Sequence, residues 1–373
     1  MSDGWCELCR SRVRRQKRHA RICPVIVRRN QLRHEPYFEL DVNAGSTLES
    51  PEASEDEFET TVAKLSDVSR RSGLRIFMKE AVPELTLQNL TKEYIELSLN
   101  CRKTERSSKV AIPVNPAHHT QYAAIVAAMQ INGLVSELGS RVDTPVYVEF
   151  GAGRGYLSHL LCDIFEQVDV VLIERRSYRF KAERSLRQQS NGLVKRITID
   201  IKDVVLGAID ELKGRPVVGF GKHLCGSATD LALRACFSPC SRQTLAHEMR
   251  GFAVATCCHH RCSWNAYVNK PYLVQLGFNE SDFRHLTRIS SWATLARADD
   301  CHDGASRGSI RRIGEPSCEK LTVHEKISLG RLAKRIIDSG RLYWCSKYDF
   351  RAKMITYTDE DVSTENVVLL IQK

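Results

Sequence analysis

The chain reads as an α/β protein with a Rossmann-like parallel sheet, preceded by a small basic segment built to bind a metal. Three observations predict this. An apolar strand pattern at Val146, Tyr147 and Val148 ends in Glu149 and runs into Gly151-x-Gly153-x-Gly155, then into an amphipathic helical pattern through Leu157, Leu160, Leu161 and Ile164. A second apolar run, "VDVVLIERR", ends in Glu174 at the distance expected of the next strand of such a unit. Strand-then-helix alternation continues through "PVVGFGKHLCGSATDLAL" and "GFAVATCCHHRCSW", the signature of a parallel sheet with helical crossovers.

Length and composition agree with one α/β domain plus appendages: 373 residues, 42% hydrophobic and 27% charged. No run of about 18 apolar residues appears and the N-terminus lacks the apolar core of a signal peptide, so neither a membrane span nor secretion is expected. An intracellular location follows, in the nucleus, the cytoplasm or both. There the 14 cysteines are expected as thiols and metal ligands rather than disulfides. The net charge of +10 is concentrated at the start: ten Arg or Lys residues lie from Arg10 to Arg33, with only Asp3 and Glu7 as acids upstream. Such a run implies an acidic partner.

Taken in order, "CELCRSRVRRQKRHARIC" supplies Cys6-x2-Cys9-x9-His19-x3-Cys23, a ligand set for one tetrahedral Zn²⁺. His19 and Cys23 are spaced for one face of a helical turn. So short a segment has little apolar surface, and metal binding would supply its folding energy. The Arg and Lys between the ligands could hold phosphates, and the same run also fits a nuclear localisation signal. We assign residues 1–45 to this finger and a following strand. Residues 46–80, with the acidic "STLESPEASEDEFETT", read as a solvated linker, and 81–373 as the α/β domain. Its opening part, from about Leu85 to Val135, has helical patterning, with His118 and His119 as helix-start features. Near the end, Leu329, Leu332, Ala333, Ile336 and Ile337 share a helical face with Gly340 as the expected stop. "AKMITYT" and "VVLLIQK" follow as closing antiparallel strands. The polar stretch 298–319 reads as a surface loop.

The glycine turn, with Glu174 placed to accept hydrogen bonds from ribose hydroxyls, describes a nucleoside pocket. The spacing is not the dinucleotide G-x-G-x-x-G, and no Gly-Lys-Ser/Thr is present for a triphosphate. Glu149, two residues before the first glycine, favours S-adenosylmethionine over NAD. "RITIDIKDVVL" reads as a strand ending around Asp200 to Asp203, where an acid can meet an adenine amino group. Lys222, His223, Cys225 and Gly226 end one later strand and Cys257 to Cys262 end the next, so both fall at the ligand cleft of an open α/β sheet. Adjacent strand-end side chains alternate in direction, so at most two or three of Cys257, Cys258, His259, His260 and Cys262 converge without a contorted loop. We therefore read this segment as cleft wall rather than metal site.

Together these residues resemble the eukaryotic tRNA 2′-O-methyltransferase family that modifies nucleotide 4 of the acceptor stem. The matching segments are "PYFELDVNAG", "VEFGAGRGYLSHLL", "IDIKDVVL", "GKHLCGSATDLAL", "ATCCHHRCSWNAYV", "GRLAKRIIDSGRLYW" and "VSTENVVLLIQK". The resemblance implies a Rossmann-like S-adenosylmethionine-dependent methyltransferase fold with a small N-terminal zinc finger, and tRNA as partner. It implies cofactor contacts at Glu149, Gly151, Gly153, Gly155, Glu174, Asp200 and Asp203, with structural Zn²⁺ on Cys6, Cys9, His19 and Cys23. The finger departs from the family's Cys-His-His-Cys pattern in that Cys9 stands where the family has a histidine after a longer gap. An enzyme of this kind must align a ribose hydroxyl with the methyl donor and remove its proton. Lys222, His223, His259 and His260 are the available acceptors, with Arg261 suited to a phosphate. The alternative is a catalytically inactive RNA-binding zinc-finger adaptor that retains the fold.

Overall fold

A computed structural model describes residues 4–6, 11–13, 23–45, 56–70, 79–80, 84–103, 115–135, 144–165, 167–176, 191–222, 224–238, 248–294 and 321–373. At the N-terminus β1 (Gly4–Cys6) and β2 (Ser11–Val13) pair antiparallel. Cys9, His19 and the side chain of Cys6 lie outside the described residues, and with them the geometry of the expected zinc site. Cys23 is described. It is buried and caps α1 (Pro24–Leu32) at φ −56° and ψ 121°, so the helix starts after it, at a proline suited to the first helical position. The strand expected after the finger does not form. The chain instead turns through residues 33–45, pinned where Asn43 Nδ2 donates to the carbonyls of Ile201 and Val204 at 2.9 and 2.8 Å.

The stretch read as a solvated linker carries α2 (Asp56–Arg70). Its acidic surface hid a helical stripe: Phe58, Leu65 and Val68 are buried against a cluster of apolar side chains, and Lys64 Nζ reaches Asp282 at 2.7 Å. After β3 (Lys79–Glu80) come α3 (Glu84–Lys103) and α4 (Pro116–Ile131), as the periodicity predicts. Asn115 caps α4 through a bond from Ala117 N at 3.0 Å, and every residue from Ala123 to Met129 is buried. That helix is therefore enclosed on all sides over its second half, while its first turn, Pro116 to His118, stays exposed.

The sheet proper consists of β4 (Val146–Phe150), β5 (Asp169–Glu174), β6 (Val194–Thr198), β7 (Pro216–Lys222), β8 (Glu248–Ala255), β9 (Arg351–Thr356) and β10 (Val367–Gln372). With β3 at the edge the order is β3-β9-β10-β8-β7-β4-β5-β6. Strands β4 to β8 run parallel, while β10 lies antiparallel between β8 and β9. β4 and β7 are buried along their whole length, which is why they read as unbroken apolar runs rather than alternating ones. The crossover helices are α5 (Tyr156–Ile164) and α6 (Ser227–Phe237), followed by α7 (Lys270–Gln275), α8 (Glu280–Ser290) and α9 (Val323–Ser346). One apolar layer joins the sheet to α3, α4 and α5, and another joins it to α6 and the end of α9.

Gly340 does not stop α9, which runs on to Ser346. It is small because Tyr267 crosses there: a Cβ at 340 would lie within van der Waals overlap of the Tyr267 hydroxyl, which donates to Ile337 O at 2.9 Å. The loop 298–319 lies outside the described residues. No helix among the described residues is long and apolar enough to cross a membrane.

Candidate active site

From β4 the chain lays down β5 and β6 on one side, then returns to place β7 and β8 on the other. The loops after β4 and β7 therefore diverge, and crevices at such switch points are where open α/β sheets bind ligands. A cleft of about 900 Å³ opens there, lined by Glu149, Gly151, Gly153, Glu174, Asp200 and Lys222 among others.

The glycine loop is shaped by backbone rather than side chains. Gly151, Gly153 and Gly155 have φ of 63°, 52° and 80°, a region costly to residues with a Cβ. At Gly155 a Cβ would also come within 2.8 Å of Leu172 Cδ2, whereas at Gly153 it would meet nothing nearer than 4.0 Å. Glu174 braces this loop: Gly153 N donates to its Oε2 at 3.0 Å and Arg176 N to its Oε1 at 2.9 Å. A carboxylate oxygen can accept more than one hydrogen bond, so Glu174 keeps capacity for a ligand. Arg196 Nη1 donates to Gly153 O at 3.0 Å and holds the other side of the turn.

Glu149 is buried, and its Oε2 accepts from Ser158 N at 3.1 Å and from Ser158 Oγ. α5 is capped by a glycine without a side chain, so Glu149 takes up one of the orphan N–H groups at that helix start. Burial pushes its carboxyl up to about 7, against the opposing effect of the Ser158 bonds. Asp200 sits on the cleft, accepting from Lys202 N at 3.2 Å, but β6 ends at Thr198 and a short 3-10 turn, Ile201–Asp203, follows. That turn rotates Asp203 away from the cleft. It is buried beneath the N-terminal segment, bound to Arg29 Nη2 at 2.8 Å and to Asp41 N at 2.8 Å, so its charge is spent on anchoring that segment.

Across the cleft, Lys222 ends β7 almost fully buried. Its Nζ lies 3.2 Å from His118 Nδ1 and 4.3 Å from the centroid of the Tyr122 ring, both on α4. Burial pushes the ammonium down to about 8. His118, at the rim, is lowered by burial and by the nearby Lys222 charge. Neither His118 nor Tyr122 was legible as a site residue, although their i, i+4 spacing places them on one helix face. His119 faces inward instead, 2.7 Å from Ser98 Oγ.

The segment after β8 is divided in two. His259 is buried with its Nε2 2.8 Å from Asp338 Oδ2 on α9, so it faces away from the cleft rather than into it. Thr256 Oγ1 donates to the same carboxylate oxygen at 3.0 Å. Cys262 lies 3.2 Å from Arg341 Nη2. His260 and Arg261 are exposed, and Arg261 lines the cleft; His223 lies outside the described residues. Cys258 adopts a left-handed conformation with φ 51° and ψ 43°. This is the contorted loop that strand alternation argued against, and it lets Cys257 and Cys258 converge with Cys225 from the loop after β7. The three thiols lie within 4.8 Å of one another, with Cys225 Sγ and Cys257 Sγ 3.6 Å apart.

This strand order, with an antiparallel strand inserted beside β8 and the glycine loop after the central strand, defines a Rossmann-like S-adenosylmethionine-dependent methyltransferase fold. The family model of methyltransferase TRM13 matches residues 120–372. The chain belongs to that family. It is 34% identical over 284 residues to the tRNA:m(4)X modification enzyme TRM13 homolog of Homo sapiens, covering 60% of this chain and 59% of that protein. It is 29% identical over 354 residues to the tRNA:m(4)X modification enzyme TRM13 of Schizosaccharomyces pombe, covering 91% and 87%. The matched region spans about three-fifths of the human and mouse relatives. Among solved structures, the plantazolicin methyltransferase BpumL in complex with SAH aligns at a TM-score of 0.33 with 11% identity, over 77% of this chain and 99% of that one.

Proposed function

We propose that the chain transfers a methyl group from S-adenosylmethionine to the ribose 2′-hydroxyl of nucleotide 4 in the tRNA acceptor stem. The observation that carries this reading is a cleft that joins a braced glycine loop to a buried lysine held beside His118 and the Tyr122 ring. On one wall, Glu174 and the open face of Gly153 suit a ribose, and Asp200 suits an amino-bearing base. The bound cofactor supplies an electrophilic methyl, so the chain's own work is alignment and proton removal. Lys222 accepts the hydroxyl proton, since a lysine poised at about 8 is partly neutral near physiological pH. Tyr122 and His118 then receive the ammonium so formed, through the ring face and Nδ1. His260 remains an exposed alternative acceptor, whereas His259 acts by anchoring its segment to α9.

Arg154, Arg175, Arg176, Lys202 and Arg261 surround the mouth of the cleft and suit the phosphates of an RNA strand. The basic N-terminal segment, with zinc on Cys6, Cys9, His19 and Cys23 as the ligand spacing indicates, supplies further positive charge for phosphates. The relatives are named tRNA:m(4)X modification enzymes, which supports the choice of nucleic acid and position.

Incubation with S-adenosylmethionine and unmodified tRNA, followed by nuclease digestion and nucleoside mass spectrometry, should give a ribose-methylated nucleoside mapping to position 4. Methylation on a base, or binding of tRNA without transfer, would overturn the reading, the latter in favour of an adaptor. Glu174→Ala is expected to weaken S-adenosylhomocysteine binding by roughly tenfold or more in calorimetry, the size of losing a charge-assisted hydrogen bond. An unchanged affinity would remove Glu174 from the cofactor site.

A further inference from the structure

Cys225, Cys257 and Cys258 come from the loops after two neighbouring strands, β7 and β8. We propose that these three thiols form a zinc site, independent of the N-terminal ligand set, that ties the two loops together at the wall of the cleft. Three geometric facts carry this. The sulfurs all lie within 4.8 Å of one another, and the Cys225–Cys257 pair is separated by 3.6 Å. Tetrahedral Zn²⁺ with Zn–S bonds of about 2.3 Å sets its sulfurs about 3.8 Å apart, so the observed pair already stands close to the edge length of a coordination tetrahedron.

The backbone is also bent for the purpose. Cys258 is one of few non-glycine residues at positive φ among the described residues, and it is this turn that sets consecutive cysteines on the same side. Such a conformation is uncommon outside glycine, asparagine and aspartate, so the backbone is strained at this residue. In an ordinary strand exit the two side chains would diverge and the strain would be absent. The same two loops also meet through Gly226 N, which donates to Cys257 O at 3.4 Å, and through Ser227 Oγ, which accepts from Ser263 N at 2.9 Å.

The chemistry of the donor set selects the ion. Three soft thiolates favour Zn²⁺ over hard cations such as Mg²⁺ or Ca²⁺ and leave a fourth position for water or another ligand. Binding exchanges three thiol protons for the metal, leaving a site of net charge −1. Two other members of the cysteine-rich segment are committed elsewhere: Cys262 to Arg341 and His259 to Asp338.

The test uses the full chain purified under reducing conditions without chelator. Zinc content by mass spectrometry should fall by one equivalent in Cys225→Ser, in Cys257→Ser and in Cys258→Ser, and this equivalent should persist in Cys9→Ser. Cd²⁺ substitution should add an ultraviolet thiolate-to-metal absorption that each of the three variants reduces. A measurement on the unmodified protein guards against variants that fail to fold: after metal removal, added Zn²⁺ should protect Cys225, Cys257 and Cys258 from alkylation by N-ethylmaleimide, as read by peptide mass. Zinc content indifferent to all three substitutions would overturn the proposal, as would equal alkylation with and without Zn²⁺. So would a Cys225–Cys257 disulfide, seen as a mass 2 Da lower, in protein kept reducing throughout.

Discussion

Replacing Lys222 by alanine is expected to cut methyl transfer by roughly 10²- to 10⁴-fold, the range for losing general-base help, while S-adenosylhomocysteine affinity changes little. The expectation rests on position before pKa. Lys222 closes the β7 strand on the wall opposite the glycine loop, and its Nζ is held between His118 Nδ1 and the Tyr122 ring. Three groups face it: His118 and Tyr122 from α4, and Cys257 from the segment after β8, whose thiolate form would oppose the effect of burial. Because its protonated form is inactive as a base, the rate should rise with pH and level off above about 8, the value to which burial brings it. Lys222→Arg separates the two roles a cation could have here. Arginine keeps the charge but does not give up its proton in this range, so a base role predicts a loss as deep as that of alanine. Activity in Lys222→Arg close to that of the unmodified protein would mean that Lys222 serves only as a fixed positive charge. The rising limb should also vanish from the residual activity of Lys222→Ala; its survival there would move the base to His118 or His260.

The second large effect is structural and lies behind the cysteine-rich segment. Arg341 is 1% exposed and bonds Asp230 Oδ2 at 2.6 Å, Asp338 Oδ1 at 2.9 Å and Gly226 O at 3.1 Å. Asp338 in turn holds His259 and Thr256, so one guanidinium ties α9 to the ends of both β7 and β8. Removing one partner of such a set leaves buried carboxylates uncompensated, at a cost of about 3–5 kcal/mol. Arg341→Met should therefore lower the thermal midpoint by roughly 10 °C in calorimetry or circular dichroism. By contrast the Arg331–Glu360 pair is half-exposed, and Arg331→Ala should change stability by about 0.5 kcal/mol or less. A shift for Arg341→Met no larger than that of Arg331→Ala would show the network to be dispensable. The pH dependence has a definite sign. Burial alone would raise the Asp338 carboxyl, but His259 and Arg341 hold it below its ordinary value. Its contribution is thus complete above the unfolded value near pH 4 and is lost as pH falls through the folded one, and this acid sensitivity should shrink in the variant.

Where a feature is local, its chemistry was readable from the chain. Glycines at 151, 153 and 155 stand where the backbone has positive φ, and such a requirement is met or failed within a few residues. The apolar runs of β4 and β7 and the periodicity of α3 and α4 likewise depend only on neighbours in sequence. That Glu149 and Glu174 line the cleft was legible because each stands at the carboxyl end of its own strand. The acidic surface of α2 hid its apolar stripe, since composition averages over faces that a helix separates. Gly340 was mistaken for a stop because its smallness answers to Tyr267, 73 positions away in the chain.

The chemistry around Lys222 was decided at a longer range still. Its partner His118 is 104 residues earlier and arrives only because α4 packs across the carboxyl end of the sheet. Asp203 and His259 carry the residue types of a site, yet a single turn after β6 gives one to Arg29 and the turn after β8 gives the other to Asp338. The same turn at Cys258 brings together sulfurs that simple strand alternation would have sent apart. The sequence by itself determined which strands make up the main sheet, where the backbone must be glycine and which ends of those strands carry reactive groups, because steric and periodic constraints act between near neighbours. Which of those groups face one another was decided only by the tertiary structure, because a side chain's direction at a strand end turns on one or two dihedral angles that distant packing and ion pairs select.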